Sequence, residues 1–404
     1  MADQNDKIEQ EIRSEIKRAK RAPKRREKRG RGRLALALLV FLAVAGALVF
    51  AASRGINNAD SLRRLFSYNK VEQDADGKAE LFRYDSDRSA SYTMLGDGLL
   101  IVSTTRVQML GGDGTELWAK TVNFTNPAVA LGAKTAAVYD VGGKELYVLG
   151  AKGLVKDMSA ESGNGILSAS LNRSDYLALT TLKSGYRAAV TAYDPSLEPV
   201  FAFRSSESYL SDARVLDDNR HLAAVSLGEA DGVFASTLLF YAFDSERSVS
   251  ETTFDGAMVY SLGSVGGKLA ALKDDRLTLF DADGSLAGSL RFDYPYLRSA
   301  SMDGDGFAAL LFSRYRSGSA LRLVTVDTEG SVLGELDEQR EITDVSAAGD
   351  YVAVLYSDRL VVYTADLSEY AALDDAEFVR QAIMRADGTV LLVGASRAWL
   401  YIPD

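Results

Sequence analysis

Lys268-Leu-Ala-Ala271 is followed nine residues later by Phe280-Asp-Ala-Asp-Gly-Ser-Leu286, and the two stretches form one copy of the repeat that decides the fold. The first stretch is a short apolar strand, and the second is the end of a strand and an Asp/Gly turn that leads into another strand. The apolar strand recurs in eight copies, which begin at Leu99, Thr135, Tyr176, His221, Lys268, Phe307, Tyr351 and Thr389. Their spacings of 36 to 47 residues are typical of the four-stranded blades of a β-propeller.

The third position of this strand is alanine in six of the eight copies, with Ile101 and Leu391 as the exceptions. A small residue recurring there indicates that neighbouring sheets approach closely, because larger side chains would overpack the layer at about 1–3 kcal/mol each. The last copy reaches Asp404 without a fourth strand, and an upstream strand over 80–84 can supply one and remove the exposed sheet edge. We therefore predict an all-β, eight-bladed β-propeller over 79–404 closed by strand 80–84, with seven blades as the alternative if one weak repeat forms no sheet.

The segment 34–52 consists of nineteen apolar residues without a charge. At a rise of about 1.5 Å per residue, a helix of this length crosses the roughly 30 Å hydrocarbon core of a bilayer. The segment therefore predicts one transmembrane helix ahead of the propeller, and a cleaved signal peptide ending near Ser53 is the alternative. The connecting residues 53–78 predict a stalk with a short amphipathic helix.

The two sides of this segment differ in charge. Residues 1–33 contain 13 Lys and Arg against 6 Asp and Glu, although the whole chain has a net charge of −10. A basic block over 17–33 directly before an apolar helix predicts a cytoplasmic tail over 1–33, so that the propeller is extracytoplasmic on a single-pass protein of the cell membrane. We expect the block to lie on anionic lipid head groups. We expect no nucleic-acid binding, because no aromatic or Gly-rich motif accompanies it.

The residue types limit the chemistry. The chain has no cysteine and one histidine, His221, which excludes disulfides, cysteine-ligated metals and multi-histidine sites. His221 begins one of the aligned strands, and we interpret it as ordinary strand surface. Asp74-Ala-Asp76-Gly, Asp281-Ala-Asp283-Gly and Asp303-Gly-Asp305-Gly resemble the start of a calcium loop but lack its continuation, and we interpret them as turns. We therefore predict no catalytic residue, no metal and no cofactor.

Loop length points to a binding face. In a propeller the second-to-third loops and the interblade loops share one face, and three of the former are extended here, at 183–186, 228–232 and 314–318. The last of these lies beside the interblade loop 292–296, so the fold would cluster Tyr294, Tyr296, Arg314, Tyr315 and Arg316. Tyr and Arg are favoured at recognition hot spots. These five residues are the predicted partner-binding site, with solvated hairpin tips as the alternative.

Gly112-Asp-Gly-Thr-Glu-Leu-Trp118 resembles the blade motif of quinoprotein-like and WD40-like propellers, although only this blade carries the tryptophan. The whole layout resembles a family of membrane-anchored propeller proteins of Gram-positive bacteria that is classed as a domain of unknown function. The resemblance implies an anchored propeller and carries no functional residues across.

Three functions remain open at this stage. The first is a non-catalytic binding or scaffold module of the cell envelope, with an envelope protein or glycan as partner. The second is an enzyme, either a degenerate quinoprotein or a carboxylate-dependent glycan-acting enzyme, for which two carboxylates would have to meet in a groove. The third is a sensor whose signal passes from the propeller to a cytoplasmic partner of the tail.

Overall fold

The computed structural model describes residues 64, 68, 73–74, 76–85, 89–158, 164–230 and 232–403. The predicted basic tail 1–33, the predicted membrane helix 34–52 and most of the predicted stalk 53–78 lie outside these residues. None of the helices in the described part of the chain has the length and apolar composition needed to cross a bilayer. The fold below belongs to the compact unit 67–404.

The described residues form eight four-stranded antiparallel sheets, which confirms the eight-bladed propeller and rules out seven blades. Blade 1 contains β2 (Ser91–Leu95), β3 (Gly98–Val102), β4 (Arg106–Leu110) and β5 (Glu116–Thr121), and blade 2 contains β6 (Pro127–Leu131), β7 (Thr135–Asp140), β8 (Leu146–Gly150) and β9 (Gly153–Asp157). Blade 3 contains β10 (Ile166–Leu171), β11 (Leu177–Thr181), β12 (Ala188–Tyr193) and β13 (Pro199–Ser205), and blade 4 contains β14 (Tyr209–Val215), β15 (His221–Ala230), β16 (Val233–Ala242) and β17 (Ser248–Asp255).

Blade 5 contains β18 (Val259–Val265), β19 (Lys268–Lys273), β20 (Arg276–Phe280) and β21 (Leu286–Arg291), and blade 6 contains β22 (Tyr296–Ser301), β23 (Phe307–Ser313), β24 (Leu321–Asp327) and β25 (Val332–Glu338). Blade 7 contains β26 (Ile342–Ala348), β27 (Tyr351–Tyr356), β28 (Leu360–Thr364) and β29 (Glu369–Leu373). Blade 8 contains β30 (Gln381–Met384), β31 (Val390–Val393) and β32 (Arg397–Tyr401), and its outer strand is β1 (Lys78–Arg83). The strand predicted over 80–84 thus lies at 78–83, and it pairs antiparallel with β32.

The hydrophobic core consists of layers between neighbouring blades. Each of eight clusters of buried side chains joins two adjacent sheets, and the last one joins blade 8 to blade 1 around Phe82, Tyr92 and Leu391. The recurring alanines of the second strands lie in these layers and are fully buried, as at Ala223 and Ala353. A larger side chain has no room there, which is why the repeat keeps alanine.

Polar side chains of the inner strands join each blade to the next. An inner strand has a partner on one side only, so its remaining N–H and C=O groups need other partners. Asp344 Oδ2 accepts a hydrogen bond from the Ala382 N–H at 2.9 Å, and Ser346 Oγ accepts one from the Met384 N–H at 3.0 Å. In the same way, Ser301 Oγ of blade 6 accepts one from the Ala347 N–H of blade 7 at 2.9 Å.

The ring has two different ends. Because consecutive strands alternate in direction, the first-to-second and third-to-fourth turns lie at one end, which we call the turn end. The second-to-third loops and the interblade connections lie at the other, which we call the loop end. The Tyr68 hydroxyl donates a 2.8 Å hydrogen bond to Asp387 Oδ2 in the β30–β31 turn, so Tyr68 is held at the turn end.

Candidate functional site

The structure brings the five predicted residues to the loop end of blade 6. Tyr294 lies in the β21–β22 connection, Tyr296 begins β22, and Arg314, Tyr315 and Arg316 lie in the β23–β24 loop. Tyr296 pairs with Ser313, the last residue of β23, so Tyr296 lies beside the start of the β23–β24 loop. We call these five residues the loop patch.

The β23–β24 loop presents its three predicted residues to solvent. Arg314, Tyr315 and Arg316 are exposed, and the Arg314 guanidinium carbon lies 5.9 Å from the centre of the Tyr315 ring. The loop backbone bonds to itself, from the Gly318 N–H to the Tyr315 carbonyl at 2.9 Å and from the Arg314 N–H to the Ala320 carbonyl at 3.0 Å. Gly318 has a φ of +87°, a conformation that glycine adopts without strain. These bonds leave the side chains free to contact a partner.

Tyr294 has a different environment from the rest of the loop patch. It is half-buried and packs against the core layer between blades 5 and 6. The Arg322 guanidinium lies over its ring at 4.8 Å and makes two hydrogen bonds to Asp337, at 2.8 and 3.1 Å. The hydrogen bonds from Arg322 hold the pKa of Asp337 below its usual range. Tyr294 therefore supports the patch from beneath, and Arg322 is a neighbour that the loop sequence does not reveal.

The loop end carries a second set of Tyr and Arg residues on blades 3 and 4, which the sequence analysis missed. Arg187 lies over the Tyr209 ring at 4.8 Å, and Arg204 lies 5.5 Å from the centre of the Tyr186 ring. Tyr186 and Tyr209 are 43% and 53% exposed, so both rings keep an open face. The cross-strand pair Ala188–Ser205 places these residues together, and it depends on a β12–β13 register that sequence spacing does not give.

One of the three predicted extended loops is wrong. The segment predicted as a loop over 228–232 lies almost entirely in strands, because β15 and β16 stay paired as far as Ala230 and Val233. The hairpin is long, and it exposes Val233 and Phe234 at 50% and 45%. Blade 4 therefore adds apolar surface to the loop end instead of an extended loop.

His221 and the carboxylates of two calcium-like stretches have structural partners. His221 Nδ1 and Asp218 Oδ2 form a hydrogen bond in the β14–β15 turn, and this bond helps to hold the pKa of Asp218 low although its partial burial acts to raise it. Asp74 Oδ1 accepts bonds from the N–H groups of Asp76 and Lys78, and Asp283 Oδ1 accepts one from the Ser285 N–H, so both carboxylates belong to turns. Within the described ranges, no group of three or more His, Asp or Glu side chains is placed to hold a metal ion.

Comparison with known proteins gives a family and a fold. A family model described as a family of unknown function (DUF5711) matches residues 67–372. The C-terminal WD40 domain of Sif2 is similar in structure, with a TM-score of 0.56 at 13% identity over 81% of this chain and 99% of that domain. The quinohemoprotein alcohol dehydrogenase ADHIIG of Pseudomonas putida HK5 gives a TM-score of 0.52 at 11% identity over 82% of this chain and 76% of that enzyme. BamB from Moraxella catarrhalis gives 0.48 at 13% identity, over 82% of this chain and all of BamB. A search of curated proteins finds no match.

These similarities are at low identity and establish the propeller fold alone. They confirm the predicted propeller fold, which is similar to that of a WD40 domain and of a quinohemoprotein dehydrogenase. A propeller with these two ends fits a binding or scaffold module, because its rigid sheets hold many loops in fixed positions.

Proposed function

The chain belongs to the family of unknown function DUF5711, and we propose that its propeller is a non-catalytic binding module, anchored in a bacterial cell membrane and displayed on the extracytoplasmic side. The observation that carries the proposal is the exposed Arg314-Tyr315-Arg316 loop beside Tyr296. The partner is an envelope protein or an anionic envelope glycan, bound at the loop end.

The chemistry of the loop patch supports such a partner. Arg and Tyr combine charge, hydrogen-bond donors and flat apolar surface, and they supply much of the binding energy in protein interfaces. The chain as a whole is acidic, with a net charge of −10, so a cationic patch on it favours an acidic partner through local attraction. The bond from Tyr68 to Asp387 at the turn end supports an arrangement in which the loop end remains accessible.

The anchor forms part of the same proposal. The apolar segment 34–52 crosses the membrane, the basic block 17–33 contacts anionic lipid head groups, and the tail 1–33 stays in the cytoplasm. A Gram-positive source agrees with an exported domain that has no cysteine.

Single-cysteine labelling tests the topology, because the native chain contains no cysteine to interfere. We expect a membrane-impermeant maleimide to label Ser317→Cys in intact cells and to label Ser14→Cys only after permeabilisation. The reverse pattern would refute the orientation, and release of Ser317→Cys into the medium would favour the cleaved signal peptide.

Site-specific crosslinking tests the binding face. A photoreactive amino acid at position 315 should form an adduct with one partner in intact cells, whereas the same group at position 152, an exposed residue of the β8–β9 turn at the turn end, should not. The adduct should disappear in the Arg314→Ala/Arg316→Ala double variant and persist in Arg220→Ala, an exposed arginine of the turn end. An adduct from position 152 but none from position 315 would place the binding face at the turn end and would refute the proposed binding face.

A further inference from the structure

The centre of the ring contains a cavity that the loop patch does not use. Its volume is about 670 Å³, and blades 2 to 6 line it. The apolar part of its wall includes Val129, Leu131, Leu262 and Met302. A second cavity of about 420 Å³ shares Val129, Leu131 and Leu262 with the first and extends along the inner strands. Sites for small organic molecules usually occupy about 300–1,000 Å³, so the first cavity alone is large enough for one.

Arg214 lines both cavities. Among the residues that the structure describes, no group forms a hydrogen bond or an ion pair with its guanidinium. The desolvation of this enclosed side chain lowers the pKa of Arg214 from its usual range. Asp217, Asp212 and Asp303 attract this charge, but none of them accepts a hydrogen bond from it, and a desolvated guanidinium without a hydrogen-bond acceptor is costly to the fold.

Arg214 also departs from the repeat. In the blades that keep the recurring alanine, the inner-strand residue paired with that alanine is small everywhere except in blade 4, where Arg214 pairs with Ala223. The small residues at this position are Ala130, Ser170, Gly263, Ser301 and Ser346. Blades 4 and 7 otherwise correspond closely, because Asp212 and Asp344 both accept a hydrogen bond from the inner strand of the next blade. Blade 4 therefore has Arg214 at the position where blade 7 has Ser346, whose hydroxyl joins blade 7 to blade 8.

A second arginine lines the same cavity from another blade. Arg173, in the β10–β11 turn of blade 3, reaches towards blade 6, where its Nη2 lies 3.4 Å from the Gly304 carbonyl oxygen. The two guanidinium groups are close enough to repel each other, since Arg173 contributes to the low pKa of Arg214. This single long hydrogen bond to a neutral carbonyl leaves most of the donors of Arg173 without a protein acceptor.

The carboxylates nearby do not form direct pairs with these arginines. Asp212 bonds to the N–H groups of Ala213 and Leu262, and Asp217 Oδ2 accepts a 2.6 Å bond from Ser264 Oγ. Burial raises the pKa of both Asp212 and Asp303, which favours their neutral forms. Asp303 belongs to one of the calcium-like stretches that the sequence analysis interpreted as turns, and the structure places it in the cavity wall.

We propose that this central cavity binds a small organic anion whose carboxylate or phosphate group contacts Arg214 and Arg173 and whose apolar part contacts Leu131, Leu262 and Met302. The guanidinium groups of Arg214 and Arg173 belong to different blades and face one cavity, and an oxyanion between them supplies the acceptors that the protein does not. The site is separate from the loop patch and stands independently of the proposed function.

The test measures ligand-dependent thermal stability of the purified full-length chain with phenyl phosphate, benzoate and neutral benzyl alcohol. We expect the Tm to rise with the concentration of phenyl phosphate or of benzoate, depending on which oxyanion the site accepts, and to stay constant with benzyl alcohol. Arg214→Met and Arg173→Met should each weaken anion binding by roughly thirtyfold or more. Arg220→Met, a matched variant of an exposed arginine outside the cavity, should bind as the wild type does.

The ligand-free proteins supply a second readout. If Arg214 serves a ligand, Arg214→Met without anions should have a Tm equal to or above that of the wild type, because a desolvated charge without a hydrogen-bond acceptor has been removed from the cavity wall. A lower Tm or a failure to fold would show that Arg214 is a structural partner of Asp212, Asp217 or Asp303, and it would overturn the proposal. The proposal would also be overturned if no anion changed the Tm and if extracts of the natively purified protein contained no organic anion.

Discussion

Phe82→Ala should open the ring where β1 closes it. Phe82 is fully buried in the layer between blades 8 and 1, where it packs with Tyr92, Leu99 and Leu391. Removing a buried phenylalanine ring costs about 3–5 kcal/mol, through lost transfer energy and the cavity that remains. Because a domain is usually stable by only about 5–15 kcal/mol, we expect Phe82→Ala to lose a fifth or more of the free energy of unfolding.

The two tryptophans of the chain make the measurement specific. Trp399 lies in β32 and pairs with Glu80 of β1, whereas Trp118 lies in blade 1 and its ring centre is 5.9 Å from that of Tyr147 in blade 2. In a Trp118→Phe background, Trp399 fluorescence therefore reports on the closure, and circular dichroism reports on all eight blades. In urea the wild type should give the same midpoint by both signals.

In Phe82→Ala we expect the Trp399 midpoint to fall by about 1 M urea or more, if m is about 3 kcal/mol/M, and to precede the circular dichroism midpoint. Leu286→Ala is the matched control, because Leu286 lies in β21, the outer strand of blade 5, and is 66% exposed. Its effect should stay within about 0.5 kcal/mol. If Phe82→Ala costs no more than Leu286→Ala, then β1 does not close the ring.

Two other predictions concern packing and pH. Ala353→Leu, at a fully buried alanine of a second strand, should cost about 1–3 kcal/mol by overpacking, whereas Ala372→Leu in the exposed part of β29 should be near neutral by differential scanning fluorimetry. The Arg340 guanidinium, with the N–H groups of Gln339 and Arg340, lowers the pKa of Glu338 to about 2. The stabilisation of the fold by ionised Glu338 is therefore fully present above the unfolded pKa near 4.5 and is lost as the pH falls towards 2. Glu338→Gln should therefore cost at most about 3 kcal/mol at pH 6 and almost nothing at pH 2 in urea unfolding, and an equal cost at both pH values would contradict the assigned cause.

The sequence predicts the blades well because the repeat records local requirements. The Asp/Gly turns and the buried alanines such as Ala353 each follow from a constraint within one blade or between two neighbours, and such constraints recur from blade to blade. The same logic locates the Arg314–Arg316 loop, since strand alternation alone assigns it to the loop end. The exposure of Tyr294 was not predictable in this way, because it depends on Arg322 and on packing between two blades.

The position of Arg214 could not be predicted from alternation in the sequence. The β14–β15 register shifts by one residue between Leu210 and Asp212, and such a bulge moves every later side chain of the strand to the opposite face. The inner strands of blades 3, 5, 6 and 7 contain the same irregularity at the same place. The bulge is visible only in the pairing, and it turns Asp212 and Arg214 towards blade 5 and the cavity.

The two candidate sites use parts of the repeat that vary independently. The loop patch is built on a second-to-third loop, which can change in length without disturbing the sheet that supports it. The cavity site is built on an inner strand, where a change such as serine to arginine replaces a bond between blades and affects stability directly. An arginine at such a position lowers the free energy of unfolding of the ligand-free ring, and ligand binding has to compensate for that loss. The loop patch lowers the stability of the ring in neither state. Variants at Arg214 should therefore couple ligand binding to ring stability, and variants at Tyr315 should change partner binding alone.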